Sequence, residues 1–204
     1  MAVTVTQGWT HELASLKMPS TAFTAEEVRS ANDVQSHISN FHLWHWQITA
    51  GTNIAVTLAL GQDYSMAAGD QNLVLAIAHA NLLEGSTEQP DLLVQTSPIL
   101  PRTSSTGQPI SCGQISATQI RLWPAPDASY TFKWQFYKNA TVFTTNTNSY
   151  DCPDHFTDVI LEGNIWKLMQ LADDDRQQAQ YEKFVALLAE QRRREFRTTG
   201  RSRV

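Results

Sequence analysis

Residues 120–137 read IRLWPAPDASYTFKWQFY and carry two of the chain's six tryptophans. Two apolar runs flank a turn that holds Pro124 and Pro126. In the second run Tyr130, Phe132, Trp134 and Phe136 alternate with Thr131, Lys133, Gln135 and Tyr137. A period of two places the four rings on one face of a strand over 130–138 and the second set on the other. A platform for sugars or bases needs its rings in water beside polar partners, whereas a half-buried strand hides them. The alternation with Lys133 and Gln135 selects the hidden arrangement. Tyr130, Phe132, Trp134 and Phe136, with Trp123 closing the preceding run, are therefore expected to form the core of a β domain.

Working outward, 110–115 and 118–123 predict a tight hairpin turning at Ser116-Ala117. Upstream, Ile54, Val56, Leu58 and Leu60 alternate with smaller or polar residues, the mark of a strand with one buried face. Gly61-Gln62-Asp63 turns the chain, Tyr64-Ser65-Met66 continues the sheet, and LVLAIAHA at 73–80 adds a strand. From 81 to 108 the composition becomes polar and proline-containing, predicting a surface loop with at most short strands.

Helical spacing bounds this region on both sides. Thr24 reads as an N-cap, with Glu27 completing a capping box and Phe23 stapled against Val28. Val28, Ala31, Val34, Ile38 and Phe41 then recur at helical intervals, predicting a helix to about Trp46, before Ala50-Gly51. Residues 5–17 are a further short helix candidate. Asp151 is placed to cap a helix with Pro153 in its first turn, followed by Phe156, Val159, Ile160, Gly163, Trp166 and Met169. ADDDR at 172–176 marks a break, and the last helix carries Tyr181, Phe184, Val185, Leu187 and Leu188. The expected fold is α+β. An N-terminal helix and two C-terminal helices form a bundle (1–50 and 151–197), and an antiparallel β domain (51–150) is inserted between them.

With 204 residues, 42% hydrophobic and 17% charged, the chain can bury a substantial core. A net charge of −5 argues against a dedicated nucleic-acid binder. No stretch approaches the roughly 20 apolar residues that span a bilayer. The N-terminus does not read as a secretion signal, so the chain is expected to remain in the cytoplasm where it is made. The charge is uneven: 192–204 holds six arginines against Glu195, a local +5 that leaves −10 on the remainder. Such a segment reads as an interaction arm.

Candidates for chemistry are few. His42 and His45 lie three apart on the predicted helix, with His37 upstream, and two imidazoles plus a carboxylate can hold a transition metal. No HExxH accompanies them, so a surface or interface pair near a helix end is the preferred reading. Cys152, before Pro153 at a helix start, is the one conceivable nucleophile, but no family-type base goes with it. Asp173, Asp174 and Asp175 diverge if helical and so cannot converge on one ion. No catalytic residue is assigned, and no metal or cofactor is expected.

Residues 106–143 resemble the central part of the head–tail adaptor proteins of tailed phages with short tails. The shared pattern is a Gly-x-Pro before a short hairpin, a strand ending in Trp-Pro-x-Pro, and an aromatic strand ending in Tyr. Here these are Gly107, Pro109, Leu122, Trp123, Pro124, Pro126, Tyr130 and Tyr137. Downstream, Pro153, Phe156, Gly163 and the acidic break at 172–175 fit the same pattern; upstream, Trp44 or Trp46, Leu58, Gly61, Gln62 and Tyr64 do so. The resemblance implies a structural virion protein without catalysis. It would form a homo-oligomeric, dodecameric ring between the portal protein and the tail nozzle protein. DNA would pass through without specific recognition, and no membrane is involved. By the same analogy Arg192, Arg193, Arg194, Arg197, Arg201 and Arg203 form a portal-docking arm, with contact to the DNA as the equal alternative; removal of 192–204 should abolish portal binding and leave the fold intact. The competing expectation is a carbohydrate- or receptor-binding β module of a tail protein, using Trp123 and Trp134.

Overall fold

The computed structural model describes residues 3–19, 24–57, 61–95 and 105–199. The chain is α+β, with four α-helices among the described residues and the β strands lying between them in sequence. It divides into two compact units, Met1–Trp46 with Ala140–Val204, and Gln47–Asn139.

In the helical unit, α1 (Val5–Ser15) opens on a capping box: the Thr4 hydroxyl accepts from the Gln7 amide and the Gln7 side chain accepts from the Thr4 amide. The helix expected to start from Thr24 begins later. The chain first makes a 3-10 turn, Thr24–Glu26, so α2 (Glu27–Phe41) begins at Glu27 with no side-chain cap. Phe23, the proposed staple, lies outside the described residues. Ala31, Val34 and Ile38 form the buried stripe of α2. The helix stops at Phe41 rather than near Trp46. The Trp44 indole folds back and donates to the Ile38 carbonyl at 2.6 Å, satisfying an acceptor that the terminated helix leaves open. Pro153 precedes a 3-10 turn, Asp154–Phe156, that leads into α3 (Thr157–Leu171). Asp151 does not cap it; its carboxylate accepts from the Thr141 amide at 2.9 Å. Asp173, in the left-handed region at φ 52°, turns the chain toward α4 (Gln177–Thr199). Val34, Ile38, Phe156, Ile160, Phe184 and Leu188 lie in one buried cluster.

Residues 140–150, expected with the β domain, fall in the helical unit. Asn32 exchanges two hydrogen bonds with the Phe143 backbone, and the Tyr150 hydroxyl donates to Asn164 at 2.9 Å.

The other unit holds two sheets. In the first, β9 (Tyr130–Lys138) pairs on one side with β1 (Ile48–Ala50) and β2 (Ile54–Val56), and on the other with β4 (Val74–Glu84). β5 (Thr87–Glu88) closes a hairpin on β4 through Gly85 at φ 62°. β4 runs four residues beyond the expected limit of 80, because β9 supplies ladder partners through Leu83. The second sheet has the order β3 (Asp63–Ser65), β8 (Gln119–Trp123), β7 (Ser111–Ser116), β6 (Leu93–Gln95). Its β6–β7 pair is parallel, a departure from the expected antiparallel domain; every other pair is antiparallel. Leu58 and Leu60 lie outside the described residues.

Candidate assembly surface at the end of the last helix

The aromatic face of β9 is closed. Phe132 and Phe136 are each 1% exposed, Trp134 3% and Tyr130 7%, with Trp134 stacked on Phe136 at 4.9 Å. They share one core with Val56, Tyr64, Leu82, Ile120 and Leu122. Trp134 therefore offers nothing to a saccharide. Trp123 departs from expectation: it is half-buried and outside that cluster. Ile120 and Leu122 take the inward face of β8, so the period of two turns Trp123 the other way.

His37, His42 and His45 do not converge. His37 lies on α2 with its ring 5.2 Å from that of Trp166. His42 is the extended residue that ends the helix, and His45 lies in the 3-10 turn His45–Gln47, so they share no helix face. What joins them is Glu195 of α4. The His45 amide donates to one carboxylate oxygen, and Nε2 of His42 lies 3.4 Å from the other. Burial holds the His42 imidazole below its ordinary value; Glu195 opposes that shift and Arg192 reinforces it. No group of three or more His, Cys, Asp or Glu among the described residues is arranged to hold a metal ion.

Neither cysteine is activated. Burial pushes the thiols of Cys112 and Cys152 up to about 12, and Asp151 adds to the effect at Cys152. Of the acidic trio, Asp174 accepts from both the backbone and the guanidinium of Arg176, which holds its carboxyl down to about 2. Asp174 thus belongs to the turn before α4.

The basic segment begins as helix. Residues 192–199 are the last two turns of α4, on which Arg192, Arg193, Arg194 and Arg197 are exposed. Arg194 pairs with Glu190, and the Arg192 guanidinium lies 5.5 Å from the centre of the Phe196 ring. Arg201 and Arg203 lie outside the described residues. Beside these turns an open cleft of about 270 Å³ is lined by Trp44, His45, Trp46, Pro153, His155, Phe156, Arg194 and Glu195. Sequence reasoning found the histidines and arginines but missed Glu195, Phe196, Trp46 and His155. The available signal was the Glu-Phe pair interrupting an arginine run.

A protein-family model described as SU10 adaptor protein matches residues 12–203. No curated protein matches the chain.

Proposed function

The chain belongs to the SU10 adaptor protein family, a family of phage adaptors, and from that premise we propose how it works in the virion. Its role is structural, joining head to tail. Copies of the chain form a ring, dodecameric by analogy, below the portal protein and above the tail nozzle, and DNA leaves through it. The subunit performs no catalysis. The exposed arginines on the last turns of α4 are the portal-docking element, together with Arg201 and Arg203. The observation that carries this reading is the four exposed arginines on the last turns of α4, on an otherwise acidic chain whose β9 aromatic face is sealed. A part that works through its outer surface needs buried rings and a charged, exposed contact.

The experiment mixes the purified chain with its portal protein and images the complex by electron microscopy. A ring seated on the portal is expected; no ring refutes the reading. Deleting 192–204 is a poor control, because it also takes Glu195 away from His42 and His45. Combined Arg192→Glu, Arg193→Glu and Arg197→Glu leaves Glu195 in place. This variant should weaken portal binding by at least about tenfold. Unchanged affinity would refute the docking role.

A further inference from the structure

The cleft beside Glu195, about 270 Å³, has room for an inserted side chain. Its floor is aromatic: Trp44 and Phe156 are each 1% exposed, their rings edge-to-face at 4.9 Å, and Trp46 is half-buried. His45, His155 and Arg194 add donors around the opening. Glu195, the one acid there, already accepts from the His45 amide and faces the His42 ring.

The surface next to the opening combines apolar area with positive charge. Phe196 is 53% exposed and Leu43 41%, and the His42 ring lies 5.3 Å from that of Phe196. Arg192 stacks over Phe196, and Arg193 and Arg197 are exposed on the same turns. Aromatic and arginine side chains are the types that dominate binding energy at protein contacts. We infer that this cleft and the arginines beside it bind an acidic segment of a partner protein. One aromatic or branched aliphatic side chain of that segment seats against Trp44, Trp46 and Phe156, and flanking carboxylates meet Arg192, beside Phe196, and Arg194, which lines the cleft. The positive charge beside the cleft selects an acidic segment as its occupant. The apolar floor selects a peptide side chain over a nucleic-acid phosphate. That the partner is a virion protein rests on the adaptor reading.

The test uses the full chain and two fluorescein-labelled hexapeptides, Glu-Asp-Leu-Phe-Asp-Glu and Lys-Lys-Leu-Phe-Lys-Lys, followed by anisotropy near physiological salt. The acidic peptide is expected to saturate and to bind at least roughly tenfold tighter than the basic one. Phe196→Ser, and separately Arg192→Glu with Arg194→Glu, should each weaken it by about tenfold; these side chains are exposed, so the fold should persist. No saturation below about 1 mM, equal affinity for both peptides, or indifference to both variants overturns the inference. So does displacement of the acidic peptide by a duplex oligonucleotide. Portal affinity is measured in parallel. Portal binding that survives Phe196→Ser and the double arginine variant removes the cleft from docking but leaves the adaptor reading standing. A chain that forms no ring on its portal refutes that reading, while the peptide result still judges the cleft.

Discussion

At Gly51 a Cβ would sit 2.2 Å from the Trp134 indole, whose Nε1 donates to the next carbonyl, that of Thr52, at 3.0 Å. Ala50-Gly51 reads in sequence as a helix stop, but what glycine supplies here is room for a backbone to cross a tryptophan face. Gly51→Ala should cost about 1–3 kcal/mol through overpacking, measured by urea unfolding; an unchanged midpoint would mean that Trp134 shifts freely. Glu12 of α1 is a second residue that local pattern would not select. It is 0% exposed, and burial first, then Glu162, pushes its carboxyl up to about 8. The folded chain therefore keeps a proton that the unfolded chain releases near pH 4.5. Its contribution is fully present below that pH and is lost as pH rises to about 8. Within that window the slope is on the order of 1.4 kcal/mol per pH unit. Glu12→Gln removes this titration and should be more stable than the parent at pH 8, with the gap closing toward pH 5. Parallel stability curves for the two proteins would exclude Glu12 as the titrating group.

At the scale of elements, the legible ones carry their own period. β9 was readable to its ends and the β7–β8 hairpin within a residue; the buried stripes of α2 and α3 and the acidic break before α4 were readable too, though not the start of α3. Each is fixed by contacts within a few residues or by one alternating face. What remained hidden depends on distant partners. α2 ends at Phe41 because the Trp44 ring packs on Phe156, more than 100 positions along, and turns its indole onto Ile38. β4 continues through polar residues because β9 pairs with it, and nothing local specifies that β6 runs parallel to β7. The site follows the same rule. His42 and His45 stand out by composition, but their common partner Glu195 is 150 residues beyond His45, where periodicity says nothing. Trp44→Phe tests this account of the α2 terminus. It keeps an aromatic ring near Phe156 but strands the buried Ile38 carbonyl, so roughly 2–3 kcal/mol of stability should be lost. Amide exchange should accelerate first over residues 36–46. Uniform acceleration across α2, with no focus at its end, would place the role of Trp44 in packing alone.

Charge is the property that belongs to the whole molecule. Outside 192–204 the helical unit has five basic residues against thirteen acidic ones, and the β unit four against six. The +5 of the terminal segment therefore sits on a body that repels polyanions. In the proposed ring that charge would favour the passage of DNA, since each phosphate gripped adds affinity and drag. Where the phosphate contacts come from that segment alone, its six arginines set their ceiling. The slope of log affinity against log salt then cannot be steeper than about −5, at −0.9 per phosphate. Acidic repulsion should hold the free chain to weak duplex binding, lost by about 150 mM salt, as read by anisotropy of a labelled duplex. Reversing Arg192, Arg193 and Arg197 to Glu should abolish what remains at low salt. If the same reversal also weakens portal binding, the two ligands compete for one face, and a portal-bound adaptor presents only its acidic surface to DNA. Duplex binding that persists at 150 mM would mean instead that the arginines grip the genome, and the low-friction channel would have to be abandoned.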